Sequence, residues 1–214
     1  MKNDCLDNPQ YAHYIEHILD LLSDEMINNT CLASTNHQIV YGFLAKNSDK
    51  DFYEREIARR TGISYGSANR VLNDLYAQDY IMRQDRGKLA FYTVNEEDPA
   101  FHNYKIFFSI YLIRPLIKQL APHSFRIILF GSCARAEDTS QSDIDLFIVS
   151  VDKEIVVKII EGYSFRKGFE NIYIEPVIYS PDELIDSEKI DQKFLSLIKE
   201  GITVWEKTDY ESRL

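Results

Sequence analysis

Phe130-Gly131-Ser132-Cys133-Ala134-Arg135-Ala136-Glu137-Asp138-Thr139-Ser140-Gln141-Ser142-Asp143-Ile144-Asp145-Leu146-Phe147-Ile148-Val149 is the stretch that decides the fold of this chain. An apolar strand, Phe125 to Phe130, runs into a Gly-Ser turn. Asp143 and Asp145 follow at the start of a second apolar strand. Alternate side chains of a strand point to one face, so the two carboxylates project together. Paired carboxylates repel unless a cation lies between them. Hard oxygen ligands of this kind suit Mg²⁺, which takes one or two carboxylates plus substrate phosphates. Gly131 lets the backbone pass close to a ligand. Ser132 offers a hydroxyl and an N–H, and residues 133–137 read as one helical turn whose free N–H groups face an anion. Phosphate donors and metal ligands on neighbouring strands are what handling a nucleoside triphosphate requires.

This arrangement resembles the DNA polymerase beta-like nucleotidyltransferase superfamily, and within it the minimal nucleotidyltransferase branch. Gly131, Ser132, Ala134, Arg135, Ser142, Asp143, Asp145 and Leu146 fit its Gly-Ser-x-Ala-Arg-Gly and Ser-Asp-x-Asp-Leu signature. Ala136 stands where the family usually has Gly, a residue that accepts a positive φ more readily. The resemblance implies a third acid on the next strand, and Ile172 to Tyr179 supplies Glu175, where many relatives have Asp. A lone acid inside such an apolar run is costly to bury unpaired. The implied catalytic and metal residues are Asp143, Asp145 and Glu175. Gly131, Ser132, Arg135 and Ser142 would bind the nucleotide, with Arg135 either neutralising charge or bracing the loop through Glu137 or Asp138. The resemblance further implies two Mg²⁺ ions, ATP or another nucleoside triphosphate as substrate, and transfer of AMP. It spans about residues 121–207. Relatives modify antibiotics, RNA ends or protein side chains, antitoxins acting on a partner toxin among them.

Residues 36–97 read as a second unit. Ile39, Val40, Phe43 and Leu44 lie at helical spacing. Glu56-Ile57-Ala58-Arg59-Arg60-Thr61-Gly62-Ile63-Ser64 then gives a helix end, a Gly turn and the start of a longer helix to Asp79. Tyr80 to Gln84 and Lys88 to Val94 alternate as strands around an Asp85-Arg86-Gly87 turn. The pattern resembles winged-helix transcription regulators. Tyr65, Ser67, Asn69 and Arg70 on the recognition helix, with Arg86 and Lys88 on the wing, are the DNA-contact candidates. The same fold also serves as a dimerisation or docking module.

The expected organisation is an N-terminal helical arm (1–35), a mostly α winged helix-turn-helix domain (36–97), a linker helix (98–120) and an α/β (α+β) nucleotidyltransferase domain with a mixed sheet (121–214). Tyr11 to Asn28 reads as an amphipathic helix, with His13 and His17 one turn apart. Pro115 is expected to kink or restart the linker helix. Its aromatics, Phe101, Phe107, Phe108 and Tyr111, belong to a core or a dimer seam.

The net charge of −10 is unevenly spread. Residues 1–35 carry −5, residues 36–97 balance, residues 98–120 carry +2 and residues 121–214 carry −7. So acidic a C-terminal part is a poor general nucleic-acid surface and favours a small-molecule or protein acceptor. The balanced charge of residues 36–97 is short of the basic surface of an obvious DNA binder. Three scattered cysteines, Cys5, Cys31 and Cys133, argue against a disulfide framework. No apolar run is long enough to span a membrane, and the N-terminus lacks a signal-peptide pattern. The expectation is a cytoplasmic homodimeric enzyme moving AMP from a nucleoside triphosphate to a hydroxyl, with a DNA- or partner-binding module. The alternative is a DNA-binding regulator or antitoxin-like protein whose nucleotidyltransferase-like domain senses nucleotide.

Overall fold

The structure, a computed structural model, describes residues 34–185 and 192–207. The expected N-terminal helix, with His13 and His17, lies outside the described residues, as do Cys5 and Cys31.

Helix α1 (Thr35–Lys46) is followed by the short strand β1 (Phe52–Tyr53) and helix α2 (Glu54–Thr61). Gly62 caps α2 at φ 75°, the left-handed conformation that ends a helix cheaply only in glycine. Helix α3 (Tyr65–Ala77) starts at Ser64, whose hydroxyl accepts from the Ser67 N–H. Strands β2 (Ile81–Arg86) and β3 (Leu89–Val94) pair antiparallel, and β1 adds to β3. The turn is Gly87-Lys88 rather than Asp85-Arg86-Gly87. A two-residue turn beginning with glycine follows the twist of the strands, so Asp85 and Arg86 stay in the ladder.

A single helix, α4 (Phe101–Leu120), runs through Pro115. Packing at both ends overrides the expected break. Phe101, Tyr104, Phe108 and Leu112 belong to the core under the winged helix, and Ile113, Leu116, Ile117 and Leu120 to the core of the second unit. Phe107 is exposed.

The second sheet is mixed, with the strand order β6 (Ile174–Tyr179), β5 (Ile144–Val149), β4 (Arg126–Phe130), β7 (Ile202–Glu206). Strand β4 (Arg126–Phe130) leads through the one-turn helix α5 (Gly131–Ala134) to β5 (Ile144–Val149), which pairs antiparallel with β4. Helix α6 (Lys153–Glu161) carries the chain back, and β6 (Ile174–Tyr179) joins β5 in parallel. Pro176 is tolerated because β6 is an edge strand. Helices α7 (Pro181–Ile185) and α8 (Gln192–Lys199) precede β7 (Ile202–Glu206), antiparallel to β4.

One sheet face is covered by α4 and α6. The other carries Ile128, Phe130, Phe147, Val149 and Tyr179 beneath Leu184, Phe194 and Ile198. The segment between α6 and β6 joins the units, because Phe169 is buried in the winged-helix core with its ring 5.3 Å from Phe108.

Candidate functional site

The acids are placed by strand register. Phe130 faces Asp145 across β4 and β5, and Asp145 faces Glu175 across β5 and β6. By alternation Asp145 lies on the same face as Phe147, and Glu175 on the same face as Val177 and Tyr179. Both acids therefore belong to the less covered side of the sheet. Asp145 is half-buried, whereas Asp143 and Glu175 are exposed.

Burial pushes the Asp145 carboxyl above its ordinary range, the negative charges of Glu175 and Asp143 push the same way, and Arg135 partly opposes them. The three acids thus act on one another as like charges. Among the described residues no three His, Cys, Asp or Glu side chains are gathered closely enough to hold an ion. The donor set is right in kind for Mg²⁺: all oxygen, with Asp145 and Glu175 aligned on adjacent strands and Asp143 just before the first of them.

Gly131 is what lets Asp145 come forward. Its φ is +69°, and a Cβ there would lie 2.0 Å from Asp145 Oδ2. No other residue fits this turn without moving the acid. Ser132 follows, and its carbonyl accepts from the N–H groups of Arg135 at 3.2 Å and Glu137 at 2.9 Å, closing the loop. Arg135 pairs with Glu137 at 2.8 Å rather than with Asp138. Ser142 is drawn into the loop, its hydroxyl accepting from the Thr139 N–H at 2.9 Å. Ala136 takes φ +58°, the conformation for which glycine is better suited.

Cys133 is fully buried, and burial raises its thiol pKa, so it is a packing residue. Beside it lies a feature with no signal in the local sequence. Lys46 at the end of α1 and Lys105 on α4 converge on Asp138, whose side chain has no exposure. Lys46 Nζ bonds Asp138 Oδ2 and lies 3.5 Å from Cys133 Sγ. Lys105 Nζ donates to the Asp138 carbonyl and is 3.5 Å from Oδ1. The loop between the Gly-Ser turn and Asp143 is therefore anchored on the N-terminal unit. Three charges 33 and 92 residues apart cannot be paired by inspection of a sequence.

The DNA-contact candidates on α3 line two cavities. Tyr65, Asn69 and Lys88 line a groove of about 680 Å³ between α3 and the wing, together with Arg55 and Arg83. Tyr65 is exposed, and Arg55 lies 5.7 Å from its ring centre. Arg70 lines a separate cavity with Ser67 and His37. Ser67 is engaged in capping α3. Arg86 folds back onto Asp51 and lies 4.7 Å from the Phe91 ring centre, while Arg83 pairs with Asp85 at 2.9 Å. Acidic neighbours thus neutralise much of the wing, as the balanced charge of residues 36–97 requires.

Residues 110–204 match the family model of the nucleotidyltransferase domain. The match begins inside α4, whose second half packs on this sheet. No curated protein matches the chain. Among solved structures, a candidate nucleotidyltransferase from Sulfolobus solfataricus is 15% identical, with a TM-score of 0.34, over 53% of this chain and 94% of that one. Reduced HlyU from Vibrio cholerae is 14% identical, with a TM-score of 0.34, over 47% of this chain and 96% of its own. The MepR–DNA complex of S. aureus is 14% identical, with a TM-score of 0.33, over 49% and 90%. Among the described residues no helix is long and apolar enough to cross a membrane.

Proposed function

We propose that the C-terminal unit is a Mg²⁺-dependent nucleotidyltransferase that moves a nucleoside monophosphate, AMP in our reading, from a nucleoside triphosphate to a hydroxyl acceptor. The observation that carries this reading is the alignment of Asp145 with Glu175, beside a Gly-Ser turn that only glycine can make so close to the acid. The match of residues 110–204 to the nucleotidyltransferase domain supports it.

Asp143, Asp145 and Glu175 are the residues that would hold Mg²⁺, which when bound supplies charge neutralisation for the phosphates and a lowered pKa for the acceptor hydroxyl. Gly131 leaves room for the triphosphate at the turn. The Ser132 hydroxyl donates to a phosphate oxygen, and Arg135 brings positive charge to the same side. Ser142 acts by fixing the loop. In place of binding the metal, Glu175, exposed at the sheet edge, would accept the acceptor's proton. Positioning and charge stabilisation carry most of such a reaction. A net charge of −7 over residues 121–214 favours a small or protein acceptor over a long nucleic acid.

The N-terminal winged helix targets this activity to DNA or a partner, using the groove of Tyr65, Asn69 and Lys88, with Arg70 contributing from its neighbouring cavity. A second reading is favoured by the Lys46–Asp138–Lys105 anchor, which ties the loop after the Gly-Ser turn to α1 and α4. In that reading the C-terminal unit senses nucleotide for a DNA-binding regulator.

The test is incubation of the protein with Mg²⁺ and each α-labelled nucleoside triphosphate, alone and with lysate. Label on an acceptor that disappears in Asp143→Asn/Asp145→Asn supports the transferase. Normal transfer by that double variant would sink the metal assignment. Nucleotide binding without transfer, with a salt-sensitive gel shift lost in Asn69→Ala/Lys88→Ala, would favour the sensor.

A further inference from the structure

A cavity of about 380 Å³ opens between α4 and the chain beyond α6. Tyr111, Arg114, Pro115 and Lys118 line it from one face of α4, at the spacing of residues that stack along a helix side. Tyr163 and Arg166 close it from the other side. Three of the lining residues are cations and none is an acid, in a chain with 34 acids against 24 Lys and Arg. Half of the described arginines are neutralised: Arg60, Arg83, Arg86, Arg126 and Arg135 each pair with a carboxylate. Among the described residues Arg114, Lys118 and Arg166 have no such pair. Concentrated positive charge left uncompensated in an acidic protein points to an anionic ligand.

The walls say what kind of anion. The Tyr163 hydroxyl donates to the Leu112 carbonyl at 3.0 Å, which fixes its ring. The Tyr111 ring is held by stacking on Phe107 and Phe108, with centres 6.2 and 5.9 Å away. Pro115 has no N–H to give the Tyr111 carbonyl, so that oxygen lacks its usual helical donor at the cavity wall. Rigid aromatic walls suit a planar ring, guanidinium groups suit phosphate oxygens, and the volume lies in the range of small-molecule pockets, about 300–1,000 Å³.

We propose that this pocket binds a free nucleotide, with the base against the tyrosines and the phosphates on Arg114, Lys118 and Arg166. It is separate from the Gly-Ser turn and its acids, shares no lining residue with them, and needs no divalent cation because it contains no carboxylate. The proposal goes beyond the transferase reading and stands whether or not transfer occurs.

The experiment is calorimetric titration of the full chain with AMP, ATP, adenosine and inorganic phosphate in EDTA. It is repeated on Asp143→Asn/Asp145→Asn and on Arg114→Ala/Arg166→Ala. Both arginines are exposed, so the second variant should fold, and circular dichroism checks that it does. The expected result is metal-free nucleotide binding that survives in the aspartate variant and weakens about tenfold or more in the arginine variant. Adenosine and phosphate should each bind more weakly than AMP. Lys118→Glu should weaken AMP binding in the same direction. Absence of metal-free binding, or equal affinity in the folded arginine variant, would overturn the site. Inorganic phosphate binding as tightly as AMP, or an acidic peptide displacing AMP from the wild-type protein only, would overturn the nucleotide assignment.

Discussion

Gly131 and Asp145 occupy space that only a glycine can share: a Cβ on Gly131 would fall 2.0 Å from Asp145 Oδ2. Any other residue must displace the carboxylate and also adopt φ +69°. Gly131→Ala should therefore lose transfer by about a hundredfold or more, the scale of an ångström-sized misplacement at a reacting centre. It should lose about 1–2 kcal/mol of stability from the left-handed backbone. Assay of transfer beside thermal melting separates the two effects. An alanine variant with unchanged activity would show that Asp145 does not need its present position.

Asp145 should cost the free protein stability at neutral pH. Burial and the neighbouring acids raise its folded pKa above the unfolded value. The native state then holds the proton to higher pH than the unfolded state does, so stability falls as pH rises from the ordinary aspartate range through the raised value, and stays lower above it. Asp145→Asn should melt above wild type at pH 7 in EDTA, with the difference closing once pH falls below the ordinary aspartate pKa. Added Mg²⁺ should raise the wild-type melting temperature more than that of the variant. Equal melting curves at pH 7 would mean the repulsion is too weak to matter.

Ala136 shows how far a signature can be read. Its mismatch to glycine pointed to a backbone better suited to Gly, and φ is +58° there. The mixed sheet was implied by the family resemblance, whereas the helix-turn-helix was legible because it rests on a local period and a turn residue. The continuity of α4 through Pro115 was not, since packing of Leu116, Ile117 and Leu120 at distant sites overrides the local preference. Nor was the closing of Arg86 onto Asp51, or of Lys46 onto Asp138, because long-range ion pairs leave no periodic trace.

The same residue gives a stability test. An L-residue in the left-handed region costs about 1–2 kcal/mol. Glycine relieves that, but gives up a buried methyl worth about 0.8 kcal/mol and has a more disordered unfolded chain worth about 0.4–1 kcal/mol. Ala136→Gly should therefore lie within about 1 kcal/mol of wild type. Ala136→Val places a β-branched residue in the same conformation at a buried position and should lose about 2 kcal/mol or more. Urea unfolding of the two variants decides it, and equal midpoints would contradict the strained geometry.

Asp138 holds two lysines from the N-terminal half of the chain, and the three buried groups carry a net positive charge. Removing the acid leaves both ammonium groups without a counter-charge in a site closed to water. Asp138→Ala should cost about 3–5 kcal/mol, the usual consequence of orphaning a buried charge. Lys46→Met acts differently, because Lys105 remains beside Asp138 and the cluster becomes neutral. It should cost less, about 1–3 kcal/mol for the lost charge-assisted bond. Because the loop that Asp138 anchors leads to Asp143, Lys46→Met should also lower transfer at a denaturant-free pH 7 where the variant is fully folded. The ordering is the decisive observation. If Lys46→Met unfolds at lower urea than Asp138→Ala, the acid is not the centre of the cluster, and the link between α1 and the loop after the Gly-Ser turn must run through other contacts.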